Sequence, residues 1–223
     1  PGPLDYSPML TIEQRRTHPV TVGPNQLQAL LAVPSTPSGL VIFAHGSGSG
    51  RLSPRNNHVA DGLHMRGMAT LLLDLLSRQE EENRSNVFDI ALLASRLFSA
   101  TEWASSSPEV KDLPIGYFGA STGAGAAILA ASGPDQRIRA IVSRGGRIDL
   151  AGTDALSRVR APTQVIVGSL DLPVIGLSKT AMPLMRCEQE LIIIPGAGHL
   201  FEERNTLDEV IGHAGRWFTA HFE

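Results

Sequence analysis

Apolar residues fall along this chain in short unbroken runs, separated by stretches where they recur every three or four positions. Residues 40–44 read Leu-Val-Ile-Phe-Ala without a polar interruption, the pattern of a strand buried on both faces. Residues 69–73, 115–118, 140–143, 163–167 and 191–194 are similar short, mainly apolar runs and read as further strands. Between these runs the spacing is helical. Ser53 and Pro54 set an N-cap and first turn for a helix running to about Arg66, with Gly67 as its stop. Val87, Ile90, Ala91, Ala94, Leu97 and Phe98 share a second helical face, with Ser85 as its cap and Pro108 beyond its end. Residues 123–131 are small and apolar, like a buried helix. Thr206 and Glu209 form the pair of a capping box for a closing helix whose stripe is Leu207, Val210, Ile211, Ala214 and Phe218. Two early segments, around 10–17 and 27–33, read as an antiparallel pair closed by the turn at 34–39. Strands alternating with helices predict an α/β fold with a mostly parallel sheet joined by crossover helices.

Composition narrows the classes of function. At 223 residues the chain suits one large domain better than two small ones, so residues 1–223 are read as a single domain. Hydrophobic residues make up 42% and charged residues 18%, with a mean hydropathy of +0.01, as expected of a soluble globular protein. A net charge of -3 supplies no basic field for a phosphate backbone, which argues against nucleic-acid partners. Lys111 and Lys179 are the two lysines; the other basic residues are arginines, the better bidentate binders of carboxylates. Cys187 stands alone, so it makes neither an internal disulfide nor a zinc knuckle, and a cytoplasmic location is expected. No apolar run approaches the roughly 18 residues of a membrane span, and residues 1–10 lack the basic and apolar regions of a signal peptide.

The chemistry is concentrated in the loops that follow the strands, where open parallel sheets gather reactive groups. After Phe118 stands Gly119-Ala120-Ser121-Thr122-Gly123, a G-x-S-x-G pentapeptide between a strand and a helix of small residues. That spacing puts a serine on a tight turn, with a glycine on each side to let strand and helix approach. After Ala44 comes His45-Gly46-Ser47-Gly48-Ser49-Gly50, whose backbone N–H groups can join that of Thr122 as an oxyanion hole. Asp171 lies just past the strand at 163–167, and His199 just past the strand at 191–194. A serine hydroxyl needs a base to take its proton, and the base needs an acid to hold its tautomer. Ser121, His199 and Asp171 supply those roles. Asp149 also follows a strand and competes with Asp171 as the acid.

These residues resemble the α/β-hydrolase superfamily, and within it the dienelactone-hydrolase-like branch of small, nearly lidless enzymes; the likeness runs from about Leu27 to the end. The resemblance implies an eight-stranded, mostly parallel sheet flanked by helices and without a large lid. It places Ser121 after the fifth strand, Asp171 after the seventh and His199 after the eighth, and gives the amide of Ser47 to the oxyanion hole. Dienelactone hydrolases use cysteine at the elbow where this chain has Ser121. Cleavage of small carboxylic esters or lactones by a serine is therefore the expected activity, with no cofactor and no metal, and a homodimer is compatible with it.

Other residues carry weaker alternatives. Arg51 and Arg55 follow the oxyanion loop, and Arg144 and Arg147 follow the sixth strand; Arg51 and Arg144 are candidates for binding an anionic substrate group, or they order loops by pairing with acids. His45 is read as structural, Cys187 and Trp217 as packing residues, and Asp74 as a capping or loop acid. His58 and His64, six apart on one helix, do not share a face and make no metal pair. A nucleotide-binding oxidoreductase would need glycine where Arg51 stands and a Tyr-x-x-x-Lys that the chain lacks. A non-catalytic ligand-binding protein of the same fold is a further alternative, and an acyltransferase, peptidase or perhydrolase would use the same nucleophile.

Overall fold

Each unbroken apolar run is a strand that feeds two separate cores. In the computed structural model, which describes residues 15–134 and 137–223, the strands are β1 (His18–Val22), β2 (Leu27–Ala32), β3 (Gly39–Ala44), β4 (Met68–Leu73), β5 (Ile115–Ala120), β6 (Ile138–Arg144), β7 (Thr163–Gly168) and β8 (Gln189–Ile194). They form one sheet in the order β1-β2-β4-β3-β5-β6-β7-β8. β1 with β2 and β2 with β4 are antiparallel, and all other neighbours are parallel. Along β3, Leu40, Ile42 and Ala44 enter one core while Val41 and Phe43 enter the other, the alternation that makes an uninterrupted apolar run favourable. Of the first expected strand, at 10–17, residues 10–14 lie outside the described residues; among the described residues β1 pairs from His18, opposite Leu31, rather than from 15–17.

Helices α1 (Pro54–His64) and α8 (Thr206–Phe222) cover one face, and α4 (Ile90–Ser106), α5 (Thr122–Ala131), α6 (Thr153–Arg158) and α7 (Leu172–Ala181) the other; α2 (Arg78–Glu81) and α3 (Arg84–Val87) are short turns in the β4–α4 connection. Ser53 caps α1 as expected, its side chain accepting the Asn56 N–H. Three expectations fail for identifiable reasons. Asp89, rather than Ser85, caps α4 by accepting the Leu92 N–H at 2.9 Å, because α3 intervenes with its own cap at Asn83. The buried stripe of α4 is Leu93, Ala94, Leu97, Ala100, Thr101 and Ala104, leaving Phe98 exposed. α4 carries apolar residues on two sides, and the alanine-rich one allows close packing on the small residues of α5. The capping box at Thr206 does not form: its hydroxyl donates to the Glu203 carbonyl at 2.7 Å, and Asn205, in the left-handed region at φ +66°, takes the N-cap position. Of the expected α8 stripe, Val210, Ile211, Ala214 and Phe218 are buried and Leu207 is partly so, and Trp217 is buried alongside them.

Only a 3-10 turn (Ile148–Ala151) and the six-residue α6 lie between β6 and β7. The carboxyl ends of the central strands therefore carry no lid of the large lipase kind at that point, and the loops after β3, β5, β6, β7 and β8 share one edge of the sheet.

Candidate active site

β5 ends at Ala120 and α5 begins at Thr122, so Ser121 alone reverses the chain. It does so at φ +49° and ψ -123°, a backbone conformation that costs a side-chain-bearing residue about 1–3 kcal/mol and persists where surrounding bonds impose it. Those bonds are present: the Ser121 N–H donates to the Arg144 carbonyl at 3.4 Å, and its own carbonyl accepts the N–H groups of Arg147 at 3.0 Å and Ala124 at 3.1 Å. The Ser121 side chain makes no capping bond to α5, so its hydroxyl is not used to finish the helix. Gly123 explains the motif spacing, because a Cβ there would collide with the carbonyls of Ala44 and His45. As the first residue of α5, Thr122 offers an N–H with no partner inside the helix, at the end of the helix dipole that attracts negative charge.

The acid and the imidazole are fixed by stitching together the loops after β7 and β8. Ser169 N–H donates to the Ile194 carbonyl at 2.9 Å and Leu170 N–H to the Ala197 carbonyl at 3.0 Å. Ser169 Oγ in turn accepts the Gly196 N–H at 2.8 Å. Across this seam His199 Nδ1 lies 2.6 Å from Asp171 Oδ2, with the carboxylate side chain 9% exposed and the imidazole 40% exposed. Donation from Nδ1 to the shielded carboxylate leaves Nε2 with a lone pair, the tautomer a general base requires. The β6 loop connects this pair to the serine. A Cβ on Gly145 would stand 3.0 Å from the His199 carbonyl and 3.6 Å from its Nδ1, while the adjoining Arg144 and Arg147 backbones hold Ser121. The competing acid Asp149 is otherwise engaged, taking both ends of the Arg147 guanidinium at 2.9 and 2.8 Å.

The loop after β3 brings Ser47 beside this constellation. Ser47 lines a cavity of about 570 Å³ together with Gly48, Arg51, Arg55, Asp74 and Arg78. Ser121, Asp171, His199, Thr122 and Arg144 do not line that cavity; of the candidate residues it touches Ser47 and Arg51. Arg51 is anchored to Asp74 by its backbone N–H at 2.7 Å and by its guanidinium. Asp74 is thus a loop acid, as its position at the end of β4 suggests, but its partner Arg51 lies 23 residues away and no local spacing reveals it. Arg144 differs from Arg51: its side chain is buried, its polar contact is to Asn56 Oδ1 at 3.5 Å, and Nε and Nη1 have no acceptor. Burial, with Arg55 nearby, pulls its pKa down to about 10, so it keeps its charge near neutral pH without a carboxylate beside it among the described residues.

His58 pairs with Asp208 at 2.7 Å, and among the described residues no group of three His, Cys, Asp or Glu is placed to hold a metal ion. Cys187 is half-buried, and burial pushes its thiol pKa up, the wrong direction for a thiolate nucleophile. No described helix is long and apolar enough to cross a membrane.

Sheet order, elbow and loop seams together define an α/β-hydrolase fold, and comparison with known proteins agrees. No protein-family profile matches the chain. A solved dienelactone hydrolase from Anabaena variabilis is 47% identical, superposes with a TM-score of 0.90, and is matched over 95% of this chain and 100% of its own. The chain belongs to the dienelactone-hydrolase-like branch of the α/β-hydrolase superfamily. Est1E from Butyrivibrio proteoclasticus, 16% identical over 92% of this chain and 98% of its own with a TM-score of 0.76, shares the fold. A protein of Mycobacterium tuberculosis provisionally named a phosphoribosyl transferase is 53% identical over 202 residues, which are 91% of this chain but 45% of that protein. The chain therefore spans less than half the length of the curated relatives it matches.

Proposed function

We propose that this protein is a serine hydrolase of small carboxylic esters or lactones, acting through an acyl-enzyme. The observation that carries the reading is the Asp171–His199 pair at 2.6 Å, set across the β6 loop from a strained serine whose hydroxyl has no capping duty. Ser121 attacks the ester carbonyl as His199 Nε2 takes its proton. Asp171 keeps the imidazole in its reactive tautomer and stabilises the cation that forms. The amides of Ser47 and Thr122 receive the developing oxyanion. His199 then protonates the departing alcohol and activates the water that releases the acid. A serine in place of the cysteine of dienelactone hydrolases needs this base more, because its hydroxyl is far less acidic than a thiol.

The substrate reading is an ester or lactone that carries an anionic group. Arg144 supports it, since burying a charge without an opposite one costs several kcal/mol, and a substrate carboxylate would supply the missing partner once the side chain turns toward it. Arg51 contributes to the cavity beside Ser47, although its guanidinium is partly committed to Asp74. The transferase named for the mycobacterial relatives is not adopted, because the matched stretch is 45% of those proteins and the Asp171–His199 pair supports the ester-hydrolase reading.

The test is turnover of neutral p-nitrophenyl acetate against an ester of similar size bearing a carboxylate, in wild type and Arg144→Met. Hydrolysis of both, with the KM for the acidic ester rising at least about tenfold in the variant and that for acetate unchanged, is expected if one ion pair of about 1.4 kcal/mol or more is lost. Equal effects on both esters remove the anion-recognition reading, and no hydrolysis of either by folded protein removes the hydrolase reading.

A further inference from the structure

The His45 imidazole sits beside the oxyanion loop, is buried, and makes two bonds whose direction can be deduced. Nε2 lies 2.9 Å from the Leu75 backbone N–H, which can only donate, so Nε2 is the acceptor and the ring proton resides on Nδ1. Nδ1 lies 2.9 Å from the Gly46 carbonyl and therefore donates to it. That carbonyl belongs to the same peptide unit as the Ser47 N–H. The peptide is trans, so fixing the direction of the carbonyl fixes the N–H on the opposite side. A second donor, Ser49 N–H at 3.2 Å, holds the same oxygen. The peptide also borders the nucleophile directly, since a Cβ on Gly46 would lie 3.0 Å from Ser121 Cβ.

We infer that His45 is a positioning residue for the oxyanion hole: its Nδ1–H locks the Gly46–Ser47 peptide so that the Ser47 N–H is presented to charge developing at Ser121. The inference rests on the ester-hydrolase reading and extends it from the donor to the group that aims it. It also requires a neutral ring, because a proton on Nε2 would face the Leu75 N–H. The charged groups that face the ring are Asp74 from the end of β4 and Glu81 from α2, both of which favour protonation; burial outweighs them and lowers the pKa.

Two substitutions separate aiming from simple packing. In His45→Asn the side-chain amide nitrogen occupies the place of Nδ1 and can still donate to Gly46. In His45→Gln the amide reaches the place of Nε2, keeping the Leu75 bond and losing the Gly46 one. Loss of one aligned oxyanion donor lowers kcat by about a hundredfold, so His45→Gln is expected to lose that much with KM within about twofold, and His45→Asn to stay within about fivefold of wild type. Equal losses in the two variants overturn the inference while leaving wild-type turnover, and the hydrolase reading, intact. A wild type without turnover on any ester removes the hydrolase reading and the inference with it. Nitrogen-15 NMR of the imidazole supplies an arm independent of turnover and of the variants' folding: an Nδ1–H tautomer persisting to pH 5.5 is expected, and an Nε2–H tautomer, or a ring titrating near 6.5, overturns the inference.

Discussion

Replacing Asp171 with Asn removes one charge from a pair that the fold has gone to some length to hold. The Asp171–His199 bond is 2.6 Å long and its carboxylate side chain is shielded from solvent, so an imidazolium formed in the transition state has this anion as its nearest counter-charge. With charge centres about 4 Å apart and an effective dielectric of about 20, their attraction is about 4 kcal/mol. At about 1.36 kcal/mol per decade of rate, that is about three decades in kcat. The ground state, with a neutral imidazole, loses much less, so KM should stay within a few-fold. Asp149→Asn is the control: Asp149 pairs with Arg147, and its loss should cost kcat less than about tenfold. Stopped-flow and steady-state hydrolysis of p-nitrophenyl acetate, with circular dichroism to verify folding, measures both. A folded Asp171→Asn that loses less than about tenfold, or an Asp149→Asn that loses more than Asp171→Asn, refutes the assignment of the acid.

Phe218 lies fully buried between α8 and the sheet, and truncation to Ala should lower unfolding free energy by about 3–5 kcal/mol in urea melts; a loss under about 1 kcal/mol would show that the α8 core is not packed as described. The depressed pKa of His45 means that the unfolded chain takes up a proton that the folded one resists. Its contribution is complete above the ordinary histidine value near 6.5 and is lost as pH falls below it, by at most about 1.4 kcal/mol per pH unit. Urea midpoints at pH 7.5 and 5.5 should therefore differ more for wild type than for His45→Asn, and equal differences would contradict a neutral buried ring.

How much of this was legible in the sequence depended on the kind of signal. Strands buried on both faces announce themselves by runs that are wholly or mainly apolar: residues 40–44, 69–73 and 163–167 fall inside β3, β4 and β7, with Thr70, Thr163 and Gln164 as their buried polar positions. Helix entry points were less secure: Ser85, Asp89, Thr206 and Asn205 are all competent caps, and the choice among them is made by where the preceding chain delivers the backbone. The strained Ser121, the Asp171 and His199 loops and the His-Gly segment could be read because each follows a strand directly. Asp171 is preferred to Asp149 in the sequence because it follows its strand more closely; its pairing with His199 across the seam between the β7 and β8 loops joins residues 28 positions apart and has no local sequence signal. The Arg51–Asp74 clamp and the burial of Arg144 against Asn56, with no carboxylate partner among the described residues, were likewise invisible, since both depend on side chains meeting across 23 and 88 positions.

The central claim is that Ser121 is the nucleophile, and intact-mass measurement after exposure to a fluorophosphonate tests it most directly. Wild-type protein should gain the mass of one phosphonyl group per chain, and Ser121→Ala should gain none under the same conditions. An adduct that persists in folded Ser121→Ala, or folded wild type that takes none, would contradict the account.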